Sequence, residues 1–227
     1  MVIKSMIGGA CACLALASLN VYSATYTSSA FDQGWYNSTG QGAFNTNYLV
    51  GDIGGTIYRD WFAFDLASIN LLAGESIVGA TLTVDKAAYI GNDVSKDWFL
   101  TSIESDINVL TTAHSAGSPG QGIFTDLADG LAYGVTTVVK AEAASQVIAD
   151  LSGMNALADI NASLGGLFAI GGYLSAVDLI TGETLFSGSS AANMAVLTIE
   201  TSVVPVPAAV WLFASGLFAL IGVSRKR

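Results

Sequence analysis

The sequence predicts a mainly β protein. Its body is an antiparallel β-sandwich over residues 25–202, with one short helical connection, carried between two apolar ends. Three observations predict it. Residues 25–139 are β-rich, and within them runs such as "IVGATLTV" and "YRDWFAFDL" alternate with the period of a strand that has one buried face. The alternating runs are rich in β-branched and aromatic residues and are bounded by Gly, Asn, Asp or Ser. No proline falls inside any of them, as ladder positions require.

The amino end, residues 1–24, has the layout of a secretory signal peptide. Lys4 is a short basic region, Met6 to Leu19 is apolar and uncharged, and Ser23 and Ala24 are small residues before Thr25. The run is shorter than the about 20 apolar residues of a spanning helix. Ala24 suits the position before the cut, although Tyr22 is bulky two residues earlier; a cut after Ala17 is the alternative. Cys11 and Cys13 both lie in this leader, and no Leu stands at the upstream spacing a lipoprotein would need. The mature body therefore has no cysteine, hence no disulfide and no thiolate metal site.

Along the body, "YTSSAF" and "GQGAFNTNYLV" predict edge strands. In "YRDWFAFDL", Phe62, Phe64 and Leu66 share a face; in "IVGATLTV", Val78, Ala80, Leu82 and Val84 do. "DWFLTSI", "YGVTTVV", "GLFAIGGYL" and "NMAVLTIE" are further strands. Between them, "AEAASQVIADLSGMNALADINASLG" places Val147, Leu151, Met154, Leu157 and Ile160 at helical spacing, and Gly153 divides the stretch into two short helices. Many short strands with Gly-rich turns favour two packed antiparallel sheets, jelly-roll-like, over a parallel α/β sheet.

Charge excludes one class of partner. From Thr25 to Val203 there are four basic residues (Arg59, Lys86, Lys96, Lys140) against all 18 acidic ones, a net charge of −14. Such a surface repels nucleic acid and attracts cations. Catalytic constellations are sparse. His114 is the one histidine and sits in the loop "TTAHSAGSPGQG" without an evident partner. "GSSAAN" around Ser189 lacks the second glycine of a nucleophile elbow. The glycines of "GGLFAIGG" are not in dinucleotide-binding order. Metal and cofactor sites are not expected. Calcium is the one ion the acidic turns could take, through Asn92, Asp93 and Asp97 or Asp126 and Asp129, and neither set has the spacing of an EF-hand. The aromatic pairs Trp35–Tyr36, Trp61–Phe62 and Trp98–Phe99 serve either as core or as a sugar platform; on alternating strands one ring of each pair points inward.

The carboxyl end, residues 203–227, completes the pattern. Ala208 to Ser224 carries no charge and as a helix would extend about 25 Å, enough to cross a slightly thin bilayer. Trp211 lies where an interfacial indole belongs, and Arg225, Lys226 and Arg227 mark the cytoplasmic side. "VPVPAAVWLFASGLFALIGVSRKR" resembles the PEP-CTERM sorting signal in its Val-Pro-Leu-Pro-Ala variant. Val204, Pro205, Val206, Pro207 and Ala208 match the motif, with Val206 in place of the usual Leu. Trp211, the Ser215–Gly216 pair and the basic end match the remainder. The resemblance covers about a tenth of the chain. It implies recognition by an exosortase, a membrane cysteine transpeptidase of Gram-negative bacteria, with export across the inner membrane, transient anchoring there, and release or transfer to the cell surface. The prolines keep the motif extended, as a protease cleft requires. The expectation is an exported, non-enzymatic surface or matrix protein, with exosortase, the export machinery and exopolysaccharide as partners. A carbohydrate-binding module is the alternative, and a glycoside hydrolase built on paired carboxylates the third reading.

Overall fold

A computed structural model describes residues 23–44, 47–141, 146–175, 182–187 and 193–203. They lie within one unit, Ser23–Val204. Residues 1–22, most of the expected leader, and 204–227, with the expected sorting motif, Trp211 and Arg225–Arg227, lie outside the described residues. Among the described residues no helix is long and apolar enough to cross a membrane.

Among the described residues the body is mainly β, a curled antiparallel sheet of twelve strands organised around one long strand. That strand, β1 (Ser23–Asn37), changes partners half-way. Ser23–Ser29 pair with β12 (Val196–Val203), whose other edge carries β5 (Glu75–Asp85) and then β9 (Gln146–Asp150). Ala30–Asn37 pair with β4 (Thr56–Asp65), and the register slips at Phe31. A bulge of this kind bends a strand and strengthens its twist, which lets one chain segment belong to two ladders. "YTSSAF" is therefore the corner of the sheet as well as an edge, a role that alternation alone does not reveal.

The second ladder continues from β4. One edge of β4 takes β1, to whose end β2 (Gly42–Phe44) adds. The other edge is shared by β3 (Val50–Ile53) and β10 (Leu167–Leu174). From β10 the ladder runs to β7 (Ser95–Thr101) and β8 (Ala132–Val139). From β3 it runs to β11 (Glu183–Leu185) and β6 (Tyr89–Ile90).

The predicted faces of β4 and β5 hold. Phe62, Phe64 and Leu66 are fully buried in the main core with Ala80, Leu82 and Val84. That core also takes Leu197 and Ile199 from β12, and Trp98, Leu100 and Ile170 from the second ladder. Val78 is half-exposed because it is the extra residue of a bulge: Glu200 pairs with Gly79 and Thr201 with Ile77. The opposite face of β4 is covered too. Trp61 and Ala63 join Tyr36, Leu110, Ile123 and Leu127 in a second core.

That second core exists because of two helices that strand alternation does not predict, α1 (Ile107–Leu110) and α2 (Gly120–Asp129). The expectation of one helical connection is corrected accordingly. Gly120 and Gly122 weaken intrinsic helix preference, by about 1 kcal/mol each. Gly120 is needed all the same, since a Cβ there would overlap the carbonyl of Gly40. Packing of Ile123 and Leu127 on β4 and β10 supplies the stabilisation that propensity lacks. The predicted pair of helices around Gly153 is also corrected. Gln146–Asp150 is strand β9, with Val147 and Ala149 inward and Ile148 outward; among the described residues of the stretch the helix is Met154–Ala162, α3. Residues i and i+4 share a face in a strand as well as in a helix, so Val147 and Leu151 fit both periods.

Candidate functional site

The acidic residues serve mainly as local anchors. Asp126, on α2, accepts the backbone N–H groups of Glu104 (3.0 Å) and Ser105 (2.8 Å), pinning the chain that leaves β7. Asp97 accepts the Thr137 hydroxyl across the β7–β8 pair. Asp93 pairs with Lys96 (2.6 Å), which also meets the buried Glu183 (2.5 Å). Burial pulls the Lys96 ammonium down, but Asp93 and Glu183 outweigh it and hold its pKa above the ordinary value. Among the described residues no three His, Cys, Asp or Glu side chains come together to hold a metal ion. His114 sits against Tyr36, its Nε2 within 3.1 Å of the Val109 carbonyl oxygen. Ser189 lies outside the described residues.

The aromatic pairs divide as the strand period requires. Tyr36 is buried, its hydroxyl donating to the carbonyls of Leu110 (2.9 Å) and Thr112 (3.0 Å) and so fixing α1. Burial raises its pKa. Trp35 is half-buried, edge-on to Tyr58 at 4.9 Å, and donates Nε1 to Asn47 Oδ1 at 3.1 Å. Trp98 is buried, while Phe99 stacks on Tyr173 at 5.2 Å on the outer face. Trp61 and Phe62 are both buried, one in each core.

One buried acid was not singled out by sequence reasoning. Asp60 is fully buried, and its Oδ1 accepts Trp98 Nε1 at 3.2 Å. Its Oδ2 has no partner. Burial pushes its carboxyl well above the usual range, against the smaller pull of the Trp98 N–H, and so favours its neutral form. The signal was its strand parity: Asp60 falls in phase with Phe62 and Phe64, where an apolar residue is expected.

A cleft of about 350 Å³ opens where β7 ends and β8 and β10 begin, beside α1 and α3. Ile103, Ile107, Leu131 and Leu167 line it with Glu104 and Asp159. Asp159 Oδ2 accepts the Tyr133 hydroxyl at 2.7 Å. Burial, then the Asp159 carboxylate, raise the Tyr133 pKa. The Tyr133 ring stacks on Phe168 at 6.1 Å, and both rings are buried.

No protein-family model matches the chain, and no curated protein matches it.

Proposed function

We propose that this chain is an exported protein of the cell surface or extracellular matrix, sorted by an exosortase, whose body is a jelly-roll-like antiparallel sandwich without catalysis of its own. One observation carries the reading. The segment Val204-Pro205-Val206-Pro207-Ala208, followed by Trp211 and the Arg225–Arg227 cluster, begins at the residue after the last residue of β12. The body supports it in two ways. Its first and last strands pair within the body, Thr25 with Glu200, so the body closes upon itself before the motif begins. The carboxyl whose pKa burial raises, Asp60, is sealed in the core, whereas the acid of a glycosidase must reach a bound sugar. Two ladders meeting through β1 around a shared core support the sandwich form.

Mass spectrometry of the cell-surface pool from the native host tests the sorting. Peptides covering Trp211–Arg227 should be missing from it and should return when the exosortase is deleted. Their presence in the normal surface pool would overturn the reading. The carbohydrate-binding alternative is favoured by two half-buried pairs, Trp35–Tyr58 and Phe99–Tyr173. A glycan array on which the Trp35→Ala and Tyr173→Ala variants bind as the wild type does would remove it.

A further inference from the structure

We propose that the cleft between β7, β8, α3 and β10 binds a cation carried on an aliphatic stem, the chemistry of a lysine or arginine side chain and of a polyamine. The site is independent of how the chain is exported. Its volume, about 350 Å³, lies at the low end of ligand-sized cavities, enough for a stem and its head group. Apolar surface is left uncovered at its rim, with Leu131 57% and Leu167 41% exposed. Glu104 and Asp159 line the same cleft, and no lysine or arginine does.

Glu104 is anchored through its main chain and Asp159 through its side chain. The Asp126 carboxylate holds the backbone N–H of Glu104. Tyr133, itself 5% exposed, holds Asp159 through Oδ2, which leaves Oδ1 for a ligand. Charge then selects the ligand class. An anion would be repelled by both carboxylates and by the net charge of −14 over Thr25–Val203, four basic residues against 18 acidic. A sugar would want an open aromatic face, but the Tyr133 and Phe168 rings face each other and are buried. A long amine satisfies both halves of the lining, its methylenes on Leu131 and Leu167 and its head between the carboxylates.

Calorimetric titration of the full-length chain with spermidine, with Nα-acetyl-lysine methylamide and with pentanol tests this. Binding is expected for at least one of the two amines, weakening as salt rises. Glu104→Gln, an exposed position whose loss leaves the fold intact, and Asp159→Asn should each weaken it about fivefold, the scale of a part-exposed ion pair. Spermidine alone binding would assign a free polyamine; the lysine amide binding would assign a basic peptide. Neither amine binding to folded protein would overturn the site. So would pentanol binding equally well, or both variants binding like the wild type.

Discussion

Asp60→Asn changes how stability responds to pH, and the sign follows from burial. In the folded chain the Asp60 carboxyl is fully buried, and its pKa lies well above the usual range. In the unfolded chain it ionises near pH 4. Between those two pKa values the folded state holds one proton more than the unfolded state. Each pH unit across that window therefore removes about 1.4 kcal/mol of stability, until the folded carboxyl also ionises. Asparagine cannot ionise. Its oxygen can still accept the Trp98 N–H, while its amide group takes the place of the unpartnered Oδ2. The extra amide hydrogen costs about 1–3 kcal/mol when left unpaired, a fixed offset without pH dependence. Glu75 and Asp150, whose pKa values are lowered, act in the opposite sense: their stabilisation is present above the unfolded pKa and is lost as pH falls below it. Above about pH 5.5 both are ionised in either state and add no slope. Urea unfolding of the full-length protein at successive pH values from about 5.5 to 7.5, followed by tryptophan fluorescence, measures the difference. The variant should gain on the wild type by about 1.4 kcal/mol per unit at the acid end of this range. Parallel curves throughout would show that Asp60 is ionised in the fold and would refute the reasoning.

Two further outcomes follow from the same contacts. Gly172→Ala would drive a methyl group into Asp60 Oδ1 and Trp98 Nε1, both in a filled core, and should cost about 1–3 kcal/mol in urea unfolding; an unchanged midpoint would show that the core has room there. Glu75 accepts hydrogen bonds from Tyr26 (3.0 Å), from the Leu72 backbone N–H (2.7 Å) and from Thr201 Oγ1, joining the first and last strands of the body. Glu75→Ala should speed hydrogen exchange at Ile199–Val203 and Ala24–Thr27 while leaving β4 protected; equal protection in the variant would place the clamp elsewhere.

Much of the body was legible in the chain because half-buried antiparallel strands write their faces as alternation. Phe62, Phe64, Leu82 and Val84 are inward in the fold for the reason their spacing predicts. Of the helices, α3 was legible in the spacing of Met154, Leu157 and Ile160, whereas α1 and α2 were not. α2 is poor in intrinsic preference and exists by packing Ile123 and Leu127 on β4 and β10, although Pro119 before it and Gly130 after it are the boundary signals that could have marked it. The cleft draws Glu104 and Asp159 from positions 55 apart in sequence, so its composition had no local signature.

The sequence by itself determined the order of segments, the acidic charge, the absence of body cysteines and the phase of the long strands, because these depend on residue type and near-neighbour spacing alone. Tertiary structure decided that β1 turns the corner between two ladders, that Gln146–Asp150 pairs as a strand, and that Asp60 is sealed against Trp98. These depend on which distant surfaces meet, and burial free energy between such surfaces outweighs the local preferences that a short stretch of chain can express.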